Sequence, residues 1–245
     1  MSSSSVAIIQ ARTGSTRLPG KVLLPLLSEP VLTHVVRRVT RAKAVDKVIV
    51  ATTVAPADDL IVDLARSEGW LVERGSEMDL LERYLQVAHA HAADIVVRIT
   101  SDCPLIDPNV IDEVISARER SGADYASNGL EPRTYPRGLD VEVMTIAALE
   151  QAGREDVDPR SREHATPYIY RHPELFRLEA VRLSSDLSSH RWTLDTPEDL
   201  DLIRRLYAAL GRDDFSWREA LAVAEAHPEW SALNRHVRQK VVPAG

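Results

Sequence analysis

The sequence predicts an α/β domain built on a mainly parallel sheet with helices on both faces. Three observations predict it. Three short runs are almost continuously apolar: Val6-Ala7-Ile8-Ile9, residues 47–53 (KVIVATT) and residues 94–100 (DIVVRIT). That is the pattern of parallel strands covered on both faces. Helical periodicity fills the gaps between them. The alternation of strand and helix then runs from Val6 to about Asn128, which reads as a right-handed βαβ array.

Each element has its own signal. Val31, Val35, Val36 and Val39 share one face of a helix from about Pro30 to Lys43. Leu60, Ile61, Leu64 and Ala65 do so in the next, which starts near Pro56 with Asp58 and Asp59 in its first turn. A third helix covers residues 77–92, with Leu81, Leu85 and Ala88 along one side. Asp107-Pro108 opens a fourth, Asp as N-cap and Pro at the first helical position.

After Gly129 the rhythm breaks. An alternating run at residues 138–144 (GLDVEVM) predicts a strand, helices follow near Thr145 and Ser161, and residues 175–183 read as strand. The helix at residues 197–210 returns to the main body. The tail after Ser216 is predicted helical to about Ala226 and irregular beyond. The expectation is one domain over residues 1–245. Its core comprises residues 6–128 and 190–210, with an inserted subregion at 129–189 and a helical tail at 211–245.

The net charge of −7 argues against a general nucleic-acid-binding surface, which wants basic residues. A single cysteine, Cys103, excludes an internal disulfide framework and a Cys-based zinc cluster. No apolar run approaches the roughly 20 residues of a membrane span. Residues 1–5 carry no basic segment and the apolar stretch after them is too short for a signal-peptide core, so a cytoplasmic location is expected.

The strongest chemical feature is Ala11-Arg12-Thr13-Gly14-Ser15-Thr16-Arg17-Leu18-Pro19-Gly20-Lys21, directly after the first strand. Ligands of open α/β sheets bind outside the carboxyl ends of strands. Gly14 and Gly20 let backbone N–H groups approach phosphate oxygens, and Ser15 adds a hydroxyl. Arg12 and Lys21 can neutralise those oxygens, Arg as a fork and Lys as a point charge. The run is not a Walker A loop, because five residues separate Gly14 from Gly20 and Val22 follows Lys21. It is not the dinucleotide G-x-G-x-x-G either. A solvated surface turn is the plainer alternative.

Two acids stand out. Asp102 follows the third strand, on the same edge as the loop, where a carboxylate suits Mg²⁺; the alternative is a helix cap, the role expected of Asp107. Asp195 is expected to end a short strand, while Thr196 to Asp199 read as N-cap, proline and acidic first turn. Two carboxylates meeting over a triphosphate would hold one or two Mg²⁺ ions. His164 is either an acid/base on the acceptor side or a helix-surface histidine. Arg137 is a candidate for binding an anionic acceptor. His89 and His91 cannot share a helix face as a metal pair. Trp217 and Trp230 read as packing.

These residues carry a resemblance. Gln10 to Lys21, Gly75-Ser76-Glu77-Met78-Asp79-Leu80-Leu81-Glu82-Arg83-Tyr84, Ser101-Asp102-Cys103-Pro104-Leu105 and Asp195-Thr196-Pro197-Glu198-Asp199 resemble the cytidylyltransferase-like nucleotidyltransferases. The match is to the spore-coat polysaccharide group and, more distantly, to CMP-Kdo and CMP-sialic acid synthetases. It covers about Val6 to Leu210.

The resemblance implies a GT-A-like Rossmann fold and transfer of CMP from CTP to a sugar acid or related anionic acceptor, with pyrophosphate released. It implies Arg12, Lys21 and Asp102 as catalytic residues, with Asp102 and Asp195 on Mg²⁺. Nucleotide contacts are implied for Gln10, Ala11, Arg12, Gly14, Ser15, Lys21, Thr52, Gly75, Arg83 and Thr100. Arg137 and His164 would face the acceptor, and a homodimer paired through the inserted region is expected. Thr100-Ser101-Asp102 departs from the Gln-Gly-Asp of CMP-Kdo synthetases, which leaves base and acceptor open. Two other classes remain: a GT-A glycosyltransferase, which would leave a nucleoside diphosphate, and a non-catalytic nucleotide-binding protein.

Overall fold

The computed structural model describes residues 3–239. The ends of the expected domain, residues 1–2 and 240–245, lie outside the described residues. In chain order the strands are β1 (Ser5–Gln10), β2 (Pro25–Leu26), β3 (Glu29–Pro30), β4 (Lys47–Thr53), β5 (Leu71–Gly75), β6 (Ile95–Thr100), β7 (Tyr125–Ser127), β8 (Glu142–Thr145) and β9 (Leu178–Ala180). The helices are α1 (Val31–Thr40), α2 (Asp59–Ser67), α3 (Leu80–Ala90), α4 (Pro108–Ser121), α5 (Ile146–Glu155), α6 (Pro159–Arg162), α7 (Pro167–Arg171), α8 (Pro197–Leu210), α9 (Trp217–Ala226) and α10 (Pro228–Ser231).

Seven strands form one sheet in the order β5-β4-β1-β6-β8-β7-β9. The first four of that order run parallel, and β8 is antiparallel to both β6 and β7. The sheet is thus mixed and mainly parallel, with the topology expected of a Rossmann-like nucleotidyltransferase. Side chains of β1 alternate between two buried layers. Ala7 and Ile9 join the layer of α1, α2, α4, α8 and α9. Val6 and Ile8 join that of α3, α5 and α7.

The cap signals held. Asp107 Oδ1 accepts from Asn109 N at 2.8 Å and Pro108 starts α4. Thr196 and Asp199 form a capping box on α8. A capping box that was not predicted, Ser216 with Glu219, opens α9.

Several expectations are corrected. The strand predicted at 138–144 is confined to Glu142–Thr145. Gly138 sits at φ +100, and a Cβ there would lie 2.6 Å from the Trp192 carbonyl carbon, so the chain is diverted onto residues 192–193 before it joins the sheet. The strand predicted at 175–183 is only Leu178–Ala180, on the sheet's edge. Strands β5 and β7 carried no signal that was read. Strand β8, from the stretch expected as a subregion, lies hydrogen-bonded between β6 and β7 within the main sheet.

Candidate active site

The carboxyl ends of β1, β4 and β6 share one edge of the sheet. The loop of residues 11–20 leaves β1 there. Ala11 is buried and its N–H donates to the Ala51 carbonyl at 3.1 Å. Thr13 is clamped by Asp58, whose Oδ1 accepts from both the Thr13 amide and the Thr13 hydroxyl at 2.7 Å. The Thr53 hydroxyl donates to Asp58 Oδ2 at 2.5 Å. Burial alone would push the Asp58 carboxyl up, but these hydrogen bonds outweigh it and hold it below its ordinary value. Gly14 is exposed, with only Glu77 near the place of its missing Cβ. Ser15 Oγ accepts from Leu18 N at 3.3 Å. Gly20, at φ +66, turns the chain into the 3₁₀ turn Lys21–Leu23.

That turn aims Lys21 across the edge. Its Nζ lies 2.6 Å from Asp102 Oδ2, 2.9 Å from Asp195 Oδ1 and 2.8 Å from the Leu194 carbonyl. All three ammonium hydrogens have acceptors. Burial works to lower the Lys21 pKa, yet the two carboxylates raise it above the ordinary lysine value. Asp195 Oδ2 is also held, by Arg17 at 2.9 Å and Arg191 at 2.7 Å. Burial opposes ionisation of Asp195, but Lys21, Arg17 and Arg191 draw its pKa below the ordinary carboxylate value.

Asp195 does not end a regular strand. Its segment is extended, joined to the rest by one bridge between Arg137 and Arg191 and by Leu194 N donating to the Asp102 carbonyl at 2.8 Å. The second bond ties the two acid-bearing segments directly together.

The remaining nucleotide candidates line the same edge. Gln10 Oε1 accepts from Tyr84 Oη at 3.1 Å and Arg98 Nε at 3.0 Å. Thr52 is fully buried and its hydroxyl has no partner among the described residues. Gly75 leaves no room for a side chain: a Cβ would lie 2.7 Å from Gln86 Oε1 and 2.9 Å from Arg83 Cγ. Buried Arg83 donates to the Ser76 carbonyl at 2.8 Å, while its Nε has no partner among the described residues. Thr100 Oγ1 lies 3.1 Å from Cys103 Sγ.

Arg12 is exposed and lies 3.8 Å from Glu163. Glu163 follows α6, which Arg162 latches to α3 through Asp79 Oδ2 at 2.7 Å. His164 comes next, half-buried and followed by Ala165 in left-handed conformation at φ +68. Burial lowers the His164 pKa, and Arg98, Arg12 and Arg171 add to that against Glu163. Lys21, Asp102 and Asp195 therefore meet directly, while Arg12 and His164 stand with Glu163. Arg137 has other charged neighbours, Arg133, Asp140, Glu131 and Arg191. It lines a cavity to which neither Lys21, Asp102 nor Asp195 contributes. Arg17, Asp58 and Arg191 were not singled out from sequence, because each acts through a partner distant along the chain or on an irregular segment.

With this geometry in place, the relatives are informative. The Cytidylyltransferase family model matches residues 6–226. This chain belongs to the cytidylyltransferase family. The spore coat polysaccharide biosynthesis protein SpsF of Bacillus subtilis is 35% identical over 234 residues, covering 91% of this chain and 94% of that protein. A 3-deoxy-manno-octulosonate cytidylyltransferase of Anaeromyxobacter sp. is 31% identical over 243 residues, covering 84% and 98%. The structure of a cytidylyltransferase from Leptospira borgpetersenii superposes with a TM-score of 0.89 at 32% identity, covering 98% of this chain and all of that one.

This cytidylyltransferase is a nucleotidyltransferase. No helix among the described residues is long and apolar enough to cross a membrane. Among the described residues no three His, Cys, Asp or Glu side chains converge as a metal cage. The donor set instead fits a cation held by one carboxylate and by substrate oxygens, a usual arrangement for Mg²⁺. Among the described residues Asp102 Oδ1 meets only the Cys103 thiol, at 3.6 Å, which leaves it room for a further partner. Asp195 already serves Lys21, Arg17 and Arg191 with its two oxygens, and fits as a second ligand only on giving one of them up.

Proposed function

We propose that this enzyme transfers CMP from CTP to a sugar acid and releases pyrophosphate, in the assembly of a surface polysaccharide or a secondary metabolite. The observation that carries the reading is Lys21 Nζ within 2.9 Å of both Asp102 and Asp195. A buried cation and two acids from distant segments meet at the end of the loop that follows β1. That suits a triphosphate better than the nucleotide sugar of a glycosyltransferase, since cations stand at the far end of the phosphate chain. The acceptor class comes from the Anaeromyxobacter relative, whose name gives a sugar acid as its acceptor.

On this reading Lys21, Arg17 and Arg12 bind the phosphates, with the Gly14 amide and the Ser15 hydroxyl beside them. Lys21 and Arg17 neutralise acids in the free protein and exchange them for phosphate oxygens when nucleotide enters. Gln10, Thr52, Gly75, Arg83 and Thr100 bound the nucleoside. Mg²⁺ held by Asp102 would supply charge neutralisation on the phosphate oxygens. The acceptor oxygen forms a bond to the α-phosphorus, the bond to the bridging oxygen breaks, and pyrophosphate leaves in line. His164, kept neutral by burial and nearby guanidinium groups, takes the proton of the acceptor.

The test is pyrophosphate release from four nucleoside triphosphates crossed with a panel of sugar acids. CTP with a sugar acid is the expected active pair. Release of a nucleoside diphosphate from a nucleotide sugar would instead make the protein a glycosyltransferase. Failure of every triphosphate pair would overturn the reading.

A further inference from the structure

A cavity of about 460 Å³ lies between residues 188–192 and the C-terminal segment that includes α9 and α10. None of Arg12, Arg17, Lys21, Asp102 or Asp195 lines it. Its lining residues include three arginines, Arg137, Arg191 and Arg235, against one acidic residue, Glu225. Hydroxyls of Ser188, Ser189 and Ser231 are spread around it.

The charges are unevenly satisfied. Arg191 is paired with Asp195 and Asp199, and only its Nη1 turns elsewhere, to the neutral Gln239 amide oxygen at 2.6 Å. Arg137 is half-buried and makes no side-chain hydrogen bond or ion pair among the described residues. Burial and Arg133 lower its pKa against the opposing pull of Asp140 and Glu131. A partly desolvated guanidinium with no hydrogen bond to its five donors is unfavourable, and a structure that keeps one beside a cavity gains by binding an acceptor there. The guanidinium fork matches a carboxylate or a phosphate, while the hydroxyls match the hydroxyls of a sugar. The volume lies within the range of small-molecule sites, roughly 300–1,000 Å³.

We infer that this cavity binds a small hydroxylated anion, a sugar acid or a sugar phosphate, at a site separate from the reaction centre. Arg137 supplies the unbonded guanidinium, and Arg235 and His190 line the same cavity. Arg191 forms the wall shared with the reaction centre, since the same guanidinium holds Asp195.

The test titrates the full chain with glucuronate, glucose 6-phosphate, inorganic phosphate and neutral glucose by calorimetry. Saturable binding of at least one anion is expected, weakened about tenfold or more in Arg137→Ala and partly restored in Arg137→Lys. Lys21→Ala, which removes a phosphate contact of the reaction centre, should leave it within twofold. Glucuronate against glucose 6-phosphate tells a carboxylate site from a phosphate site. Should Arg137→Ala fail to fold, the His190 ring resonances of the unmodified protein give the second readout and are expected to shift with the anion at the same midpoint. Equal binding of glucose, binding lost in Lys21→Ala but kept in Arg137→Ala, or no saturable binding of any probe would overturn the inference.

Discussion

Lys21 and Asp195 are 174 positions apart in the chain and 2.9 Å apart in space. The contact joins the loop after the first strand to a segment that arrives only after the sheet is complete. It gives the site its electrostatic design: the cations proposed for the phosphates are already bound to acids. Lys21→Ala removes that contact and a triphosphate partner together. Loss of one such charge-stabilising group costs on the order of 3 kcal/mol of barrier, or about 10²–10³ in rate. Pyrophosphate release with CTP should fall by that factor, and near-normal turnover in the folded variant would sink the assignment.

Asp58→Asn tests the clamp on the loop. The carboxylate takes three donors, two from Thr13 and one from Thr53, and the amide has only one oxygen to offer them. Leaving a buried donor unsatisfied costs about 1–3 kcal/mol. Thermal unfolding should shift down accordingly. Because Asp58 acts through Thr13, the CTP KM should rise more than kcat falls. A lower melting temperature with an unchanged KM would limit Asp58 to a structural role.

Acid should loosen the site before the sheet. Asp58 and Asp195 both have folded pKa values below their ordinary value of 3.8. Their ionised forms therefore stabilise the folded protein fully above that value, and the contribution is lost as the pH falls through the lower folded values. Unfolding free energy measured against pH should drop below about pH 4. Asp58→Asn should flatten that drop, and an unchanged slope would show that other groups set it.

The sheet's centre was legible because β1, β4 and β6 are buried on both faces and so read as unbroken apolar runs. Strand β5 escaped notice because Leu71–Gly75 lies on the sheet edge, where Glu73 and Arg74 interrupt the apolar pattern. At the site, Lys21 and Asp102 were legible because each follows a recognisable strand. Asp58 and Arg191 were not, since a helix-start acid and an arginine on an irregular segment carry no period. Arg137 was expected to face an anionic acceptor, and the sequence gives no sign that it lines a cavity with residues 188–192, which are distant along the chain.

Gly138→Ala should be among the most damaging single changes. The residue combines φ +100 with a Cβ position 2.6 Å from the Trp192 carbonyl carbon and 2.8 Å from Thr193 N, which are backbone atoms with little room to move. Strain of this kind belongs to the destabilising tail, about 3 kcal/mol or more. For a chain of this size that corresponds to a melting-temperature loss of roughly 6–12 °C. Residues 192–193 lead to Asp195, so activity should fall further than stability. A variant melting within about 2 °C of the parent would contradict the crowding argument.

His164 gives the prediction that separates proton transfer from binding. Its ring is half-buried, with Arg98, Arg12 and Arg171 disfavouring the charged form and Glu163 opposing them. The pKa therefore lies below the ordinary histidine value of 6.5. A base must be neutral to accept a proton, so kcat should rise with pH through a midpoint below 6.5 and level off near neutrality. In His164→Gln the acidic limb should vanish and kcat should drop about 10²-fold, within the usual range for general-base catalysis. The CTP KM should stay within about threefold, because the nucleotide is held by the loop and not by this ring. If the limb persists in the variant with kcat little changed, His164 packs α6 against the sheet edge and a different group takes the proton.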